Sequence, residues 1–333
     1  MRRKRIKDTD YLFISTRLRT LERNFLTAAR MDRMIDAPTA EDAAKVLAEI
    51  GYGDFSLSSE QSLNQVLTAE REKVLGDLTP LVPDRKVVDV FRVKYDYHNA
   101  KTMLKALAVG AEPARLLVDA GRMPAGALAE AVREGAYDKL PGRLQEAVRE
   151  AAEVLSATGD PQRSDFALDR AYYQEMLELA EDTGSTFLTD YVRATIDSAN
   201  LRSAVRTLRM KKGGDFLRKV LFPGGTVPEE QVLAAAAGGR LEELYRATPL
   251  RAAAELGGAA INGGSLIAFE KACDDAVTTT VARAKRVPFG VETVIGYLAA
   301  KEIEFTAVRI ILTGRLAGLH GEAIRERLRE AYV

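Results

Sequence analysis

Apolar side chains recur at steps of three and four residues along many stretches of the chain, the spacing that places them on one face of an α-helix. The clearest stretch runs from Phe91 to Leu107. Its apolar stripe consists of Val90, Val93, Tyr97, Ala100, Leu104 and Leu107. Alternating β-branched runs between hairpin turns are missing, and the good helix formers alanine, leucine, arginine and glutamate dominate. The pattern predicts an all-α protein.

A short polar motif lies within this predicted helix and recurs twice later in the chain. Each copy has an acid, a second position three residues later, and a base five residues after the acid. The copies are Asp96-x-x-Asn99-x-Lys101, Asp197-x-x-Asn200-x-Arg202 and Glu304-x-x-Ala307-x-Arg309. Their apolar registers match and they are spaced by about 100 residues, so we interpret them as an internal triplication. The helical units that we expect span residues 1–113, 114–220 and 221–333.

The acids at Asp96, Asp197 and Glu304 allow two interpretations. A functional one places three carboxylates around one axis. A structural one pairs each acid with an arginine or lysine of a neighbouring helix, or with backbone N–H groups, so that it holds its unit together. We favour the structural one, since a position repeated in every unit more often serves packing. Asn99 and Asn200 are then buried amides that tie neighbouring backbones.

Each predicted unit contains more than the motif helix. The segments Gly121-Arg122-Met123-Pro124 and Gly225-Thr226-Val227-Pro228 each predict a helix that begins with proline in its first turn. The segment from Gly318 to Gly321 resembles them without the proline. Connecting helices are predicted from Leu140 to Leu155 and from Asp165 to Leu179.

Composition limits the possible functions. The 333 residues are 47% hydrophobic, which is enough for a buried core, and the 48 Lys and Arg balance the 48 Asp and Glu. The one strong basic run is an arm from Arg2 to Lys7, which we expect to be solvated rather than to contact a nucleic acid or a lipid. No uninterrupted apolar stretch is long enough to span a membrane, and the first residues lack the apolar region of a signal peptide. Cys273, the only cysteine, is expected in or near the core.

Candidate chemistry is sparse. His98 and His320 stand on different predicted helices without metal-ligand spacing, and no phosphate-binding glycine loop is present. We therefore expect no catalytic residue, no metal and no cofactor. The adjacent acids Asp274 and Asp275 are the best pair for an all-α hydrolase, but neighbours on one helix diverge by about 100°.

Three segments of the chain resemble the central-stalk connector of rotary V-type and A-type ATPases, which is the C subunit of the bacterial and archaeal complexes and the d subunit of the eukaryotic one. Phe91 to Leu107 contains KYDYHNAK, similar to the family's Lys-x-Asp-x-x-Asn-x-Lys core. Phe187 to Arg209 resembles its Phe-Leu…Ile-Asp…Asn-Leu-Arg segment, and Pro288 to Leu312 resembles its C-terminal signature. Two departures are the Tyr11 to Arg19 helix, where the family usually has small and amide residues, and Ala307.

The resemblance implies a non-catalytic protein with three similar helical units around a pseudo-threefold axis, forming a funnel with a central cavity. The cavity is expected to receive the rotor shaft, a coiled-coil axle with its small companion protein, and the lower face to contact the membrane rotor ring. One copy per complex, peripheral on the cytoplasmic face, would transmit torque between ATP hydrolysis or synthesis and proton or sodium transport. No nucleic acid and no small-molecule substrate are implied.

Another class of function stays open at this point. A free-standing all-helical scaffold for other proteins would fit the composition, but solenoid scaffolds have repeats of about 30 to 45 residues, much shorter than the unit here. A nucleic-acid protein would need a basic face that continues beyond the arm from Arg2 to Lys7.

Overall fold

The computed structural model of the protein describes residues 7–53 and 56–332. Within those residues the chain forms α-helices joined by turns and short 3-10 segments, and it contains no β-strand. The all-α prediction is confirmed. Of the basic arm, only Lys7 lies within the described residues.

The helices are numbered here in chain order. Up to residue 183 they are α1 (Leu12–Leu21), α2 (Ala28–Asp36), α3 (Ala40–Ala48), α4 (Glu60–Leu78), α5 (Arg85–Val109), α6 (Ala125–Glu134), α7 (Leu144–Thr158) and α8 (Pro161–Thr183). After it they are α9 (Thr186–Arg209), α10 (Gly214–Val220), α11 (Glu229–Ala237), α12 (Leu241–Tyr245), α13 (Arg251–Ile261), α14 (Leu266–Ala282), α15 (Val291–Leu316) and α16 (Gly321–Arg325). The 3-10 segments are Asp8–Tyr11, Glu22–Asn24, Ala114–Leu116, Tyr137–Lys139 and Arg283–Arg286.

Local sequence explains where many of these helices begin and end. The Thr27 and Thr39 hydroxyls accept hydrogen bonds from backbone N–H groups three residues later, which caps α2 and α3. Gly159 ends α7 with a φ of 64°, a conformation that costs glycine little. Pro124 and Pro228 directly precede α6 and α11 as N-caps, one position earlier than the sequence predicts.

The chain divides into two compact units. Unit 1 joins Met1–Asp84 to Arg240–Val333, and α15 lies at its centre, packed against α1, α2, α3, α4 and α14. Unit 2 is Arg85–Gly239, in which α8 packs against α5, α7 and α9. The division into three units of about 100 residues stays a prediction.

The three motif copies lie on the long helices α5, α9 and α15. These helices are buried on more than one side, since each is surrounded by several others. Most of the apolar stripe of α5 is buried as predicted, but Leu107 is 46% exposed because it lies in the last turn of the helix. Cys273 is buried in α14. No helix within the described ranges is both long and apolar enough to cross a bilayer.

Candidate functional site: the repeated acids of the long helices

Asp96 on α5 is fully buried and holds the loop that precedes α6. The backbone N–H of Arg122 donates to its Oδ1 at 2.9 Å, and Arg122 Nε donates to its Oδ2 at 2.6 Å. The same guanidinium donates from Nη1 to Glu175 Oε1 at 2.7 Å, and the Tyr97 hydroxyl donates to Glu175 Oε2 at 2.8 Å. Two helices and one loop of unit 2 therefore meet at a single arginine.

The electrostatics of this cluster follow from burial. Burial raises the pKa of Asp96, although the Arg122 charge and hydrogen bonds oppose the shift. Burial alone would lower the pKa of Arg122, but its bonds to Glu175 and Asp96 outweigh this effect, so that its pKa is raised. Arg122 is therefore charged over the whole physiological pH range, and it balances two carboxylates in a site with little access to water.

Asp197 on α9 holds the loop that precedes α11, and within the described part of the chain no cation is bonded to its carboxylate. The backbone N–H of Thr226 donates to Oδ2 and that of Val227 donates to Oδ1, both at 3.1 Å. The Thr226 hydroxyl also donates to Oδ2. Burial raises the pKa of Asp197, and the bonds from Thr226 and Val227 oppose the shift.

Glu304 on α15 holds the loop that precedes α2, in unit 1. The backbone N–H of Leu26 donates to Oε2 at 2.8 Å, while the Tyr52 hydroxyl and Lys301 Nζ each donate to Oε1 at 2.8 Å. Lys301 also lies 3.5 Å from Glu70 Oε1. Burial raises the pKa of Tyr52 far above its ordinary value, and the neighbouring Glu304 charge adds to the shift.

The three acids share one geometric task. Each accepts from backbone N–H groups just before the N-cap of a short helix: Pro124 for α6, Pro228 for α11 and Thr27 for α2. The acid of the third motif copy, Glu304, thus binds a loop near the beginning of the chain. The sequence interpretation missed this partner, since it compared the proline-containing starts with the segment from Gly318 to Gly321.

A glycine allows the close approach at the two aspartates. A Cβ on Gly121 would lie 2.2 Å from Asp96 Oδ1, and a Cβ on Gly225 would lie 2.2 Å from Asp197 Oδ1. Both glycines stand three residues before the N-cap. Asn24, which has a Cβ, occupies that position before α2, and there the acid is Glu304, which has one methylene more than an aspartate.

The asparagines bind a backbone segment in two of the copies. Asn99 Nδ2 donates to the carbonyl of Val118 at 2.8 Å, and the Val118 N–H donates back to Oδ1 at 2.9 Å. Asn200 makes the same pair of bonds with Phe222, both at 2.8 Å. Ala307 cannot make such bonds, so the third copy holds its partner loop through the acid.

The motif bases are placed less uniformly. Lys101 forms an ion pair with Asp169 of α8, and Arg309 Nη1 donates to Asn64 Oδ1 of α4 at 2.6 Å. Arg202 lies near Tyr173. Burial and the Asp169 charge raise the pKa of Tyr173 to about 12, and the Arg202 charge opposes this shift.

Sequence reasoning missed the groups that balance the buried acids. Lys301 stands three residues before Glu304, a helical spacing that the sequence does display. Arg122, Glu175 and Glu70 carry no such signal, because their partners are distant in the chain. The roles of the eight motif positions in function stay a prediction.

These acids are occupied by donors from the protein itself. Among the residues that the structure describes, no group of three or more His, Cys, Asp or Glu side chains is placed to hold a metal ion. The pair considered for a hydrolase is also engaged, since Asp274 accepts from Arg329 Nε at 2.7 Å and Asp275 accepts from the Glu330 N–H at 2.7 Å. These two acids hold the end of the chain against α14.

Comparison with known protein families decides the assignment. The model of the ATP synthase (C/AC39) subunit family matches residues 14–327. The chain belongs to this family. The resemblance of the three motif-bearing segments to the C subunit of V-type and A-type ATPases is confirmed, and the match includes all three copies of the acid motif.

Curated relatives in the C/AC39 family cover the chain almost from end to end. The C subunit of the V-type sodium ATPase of Enterococcus hirae is 22% identical over 97% of this chain and 99% of its own length. The C subunit of the A-type ATP synthase of Methanocaldococcus jannaschii is 25% identical over 96% of this chain and 86% of its own. The C subunit of the V-type ATP synthase of Thermus thermophilus is 26% identical over 92% and 94%, respectively.

Proposed function

We propose that this protein is the non-catalytic central-stalk connector of a rotary V/A-type ATPase. It couples the rotor shaft to the membrane ring that carries protons or sodium ions, and it transmits torque in either direction. The observation that carries the proposal is the family match over residues 14–327, together with relatives that are C subunits of such complexes and align over nearly their whole length. In this role the chain is peripheral on the cytoplasmic face, with one copy per complex.

The arrangement that we propose for this task is a funnel of three similar helical units around a pseudo-threefold axis. Three acids that each bind the loop before a short helix support a threefold repeat. The bond from Leu26 to Glu304 supports closure of the series, since it joins the last copy to the beginning of the chain. A foreign coiled coil could then be received along the axis.

We also propose that the repeated motif positions serve stiffness, because torque is lost wherever a connector yields. Buried charge pairs and two-bond amide clamps allow few alternative geometries, so they suit this role. The residues in question are Asp96, Asn99, Lys101, Asp197, Asn200, Arg202, Glu304 and Arg309.

Binding to the purified shaft proteins tests the proposal. We expect a complex with one copy of this chain per shaft, measured by sedimentation velocity and by titration calorimetry. A free-standing scaffold would give no stoichiometric complex with shaft proteins under these conditions, and that result would overturn the proposal.

Cross-linking then tests the two ends of the connector. Single cysteines at the exposed positions Glu60, Glu130 and Glu255 provide one probe in each third of the chain, and the buried Cys273 can stay in place. In the assembled complex we expect cross-links to the shaft and to the ring from different probes. Cross-links to neither partner would contradict a connecting role.

A further inference from the structure

A cavity of about 110 Å³ lies within unit 1 between α1, α4 and α15. Its buried part is lined by Tyr297 and Lys301 of α15 and by Glu70 of α4, which are 4%, 6% and 9% exposed. Arg17 of α1 and Asp77 of α4 line its rim, and both are exposed, so the cavity opens to solvent there. At about 10–15 Å³ for each water molecule, this volume takes roughly seven to eleven waters, or an organic molecule of similar size.

The hydroxyl of Tyr297 makes no hydrogen bond to another residue that the structure describes. Its ring packs against Phe25 with a centroid distance of 5.3 Å, which holds the tyrosine in place. Buried hydroxyl groups nearly always have a hydrogen-bond partner, because leaving one unpaired is costly. A molecule in the cavity would supply the partner that Tyr297 lacks.

Glu70 is also incompletely satisfied although it is buried. Lys73 Nζ lies 3.4 Å from Glu70 Oε2, and Lys301 Nζ lies 3.5 Å from Oε1. Both distances exceed the length of about 2.7–2.9 Å that is typical of a bond between an ammonium group and a carboxylate. Lys301 makes its short bond, of 2.8 Å, to Glu304 instead. Glu70 can therefore accept a further hydrogen bond from a molecule in the cavity.

The charges that line the cavity are nearly balanced. The cations are Arg17, Lys73 and Lys301, and the acids are Glu70 and Asp77. Glu304, which is bonded to Lys301, brings the number of acids to three. A ligand with a net charge of zero therefore suits this site better than a simple cation or a simple anion.

The interior and the rim of the cavity differ in their electrostatics. Burial raises the pKa of the Tyr297 hydroxyl, and the charges of nearby carboxylates add to the shift, those of Glu304, Glu70, Glu22 and Asp77. The interior therefore favours a positively charged group. At the rim, Arg17 makes no hydrogen bond or ion pair with another described residue, so its guanidinium is available to a carboxylate.

We propose that this cavity binds a small zwitterion, a free α-amino acid with a short side chain. The ammonium group of the ligand donates to the Glu70 carboxylate and to the Tyr297 hydroxyl oxygen, and its carboxylate accepts from Arg17 at the rim. This inference goes beyond the proposed function, which needs only protein partners.

Titration calorimetry and thermal unfolding of the full chain test the inference with three matched compounds. L-serine carries both charged groups, ethanolamine lacks its carboxylate, and 3-hydroxypropionate lacks its ammonium group. We expect L-serine to bind and to raise the unfolding temperature. Each of the other two compounds should bind at least about tenfold more weakly, because each loses one charge-assisted set of hydrogen bonds.

Two variants remove a proposed contact without removing a contact within the protein. Arg17→Gln should weaken L-serine binding about tenfold, and Tyr297→Phe should weaken it about fivefold. The matched controls are Arg23→Gln, at an exposed arginine outside the cavity, and Tyr332→Phe, which removes another buried hydroxyl without a hydrogen-bond partner in the described chain. Both controls should bind L-serine as the wild type does. Thermal unfolding of each variant without ligand shows whether the fold is retained.

Three results would overturn the inference. They are no binding of L-serine, binding of ethanolamine or 3-hydroxypropionate as tight as that of L-serine, and L-serine binding that neither Arg17→Gln nor Tyr297→Phe weakens. Binding to the shaft proteins is measured on the same preparations. A chain that forms the shaft complex but does not bind L-serine refutes this inference alone and leaves the proposed function intact.

Discussion

Asp96 and Asp197 perform the same task in unit 2 with different electrostatics. Both carboxylates accept a hydrogen bond from the backbone N–H of the residue two positions before an N-cap. Both also lie so close to a glycine that a Cβ added there would be 2.2 Å from the carboxylate oxygen Oδ1. At that shared position stands Arg122 in one copy and Thr226 in the other. Asp96 is neutralised by a guanidinium, whereas Asp197 is satisfied by a hydroxyl and two N–H groups.

The comparison distinguishes two contributions to stability, that of the backbone hydrogen bonds and that of the cation, which could not be told apart at Asp96 alone. The backbone bonds and the glycine fix the distance between helix and loop, and they are common to both sites. The cation is an addition at Asp96, where it also holds Glu175 and hence α8. Asp197 is stable without a bonded cation, but removing Arg122 should still lower the free energy of unfolding strongly, because both Asp96 and Glu175 depend on its charge.

The largest effect that we predict is that of Arg122→Met. Two carboxylates that are nearly inaccessible to solvent would lose their shared cation, so the free energy of unfolding should fall by about 3–5 kcal/mol. Urea unfolding followed by circular dichroism measures the change. Adding Glu175→Gln should recover part of the loss, because the penalty comes from stranded charge.

The control for this variant is Arg143→Met, which removes an ion pair to Glu178 whose side chains are 36% and 54% exposed. A change of about 1 kcal/mol or less is expected there. Equal losses for Arg122→Met and Arg143→Met would mean that Arg122 does not act as the common counter-ion.

A smaller effect is predicted for Asp197→Ala. The N–H groups of Thr226 and Val227 would lose their acceptor, which costs about 1–3 kcal/mol, but no charge would be stranded. The same urea experiment applies, with Asp190→Ala on the exposed side of α9 as the control, expected within about 1 kcal/mol of the wild type. A loss as large as that of Arg122→Met would break the distinction between the two sites.

The sequence predicted the helical class and the positions of the repeated acids, because helix periodicity and internal spacing are local patterns. It also brought Asn99 and Asn200 to attention as amides that bind backbone. Periodicity shows which side of a helix is apolar, but α15 packs against six other helices, and the pattern alone did not reveal such burial.

The partners of the acids were not predictable in the same way. Arg122 and Glu175 are 53 residues apart, and no local rule relates them. The bond from Leu26 to Glu304 spans 278 residues and depends on the two ends of the chain packing together. The N-cap residues Pro124 and Pro228 each follow a motif acid in the sequence. Pairing the third acid, Glu304, with the first such N-cap in the chain would have found Thr27.

Substitution of the glycines tests whether the two sites share one backbone geometry. Gly121→Ala and Gly225→Ala each place a methyl group against a buried carboxylate, so each should destabilise the protein, by about 1–2 kcal/mol and to a similar extent. Gly126→Ala is the matched control, because nothing lies within 4 Å of its added Cβ and alanine favours the helix. Thermal unfolding of the three variants provides the comparison. If Gly121→Ala destabilised the protein and Gly225→Ala did not, only the site that contains Arg122 would be rigid.

The smallest effect concerns pH at Asp197. Burial raises the pKa of Asp197, so the folded protein retains this proton at a pH where the unfolded chain, with an ordinary pKa of about 3.9, has released it. Stability contributed by this group is therefore fully present below the unfolded pKa and is lost as pH rises through the folded pKa. Asp197→Asn cannot titrate, so the stability advantage of the wild type over this variant should decrease as pH rises through that interval. Urea unfolding of both proteins at a series of pH values measures how the difference in their free energies of unfolding changes with pH. A difference that grows with pH would contradict the prediction. It would mean that the N–H donors lower the pKa of Asp197 more than burial raises it.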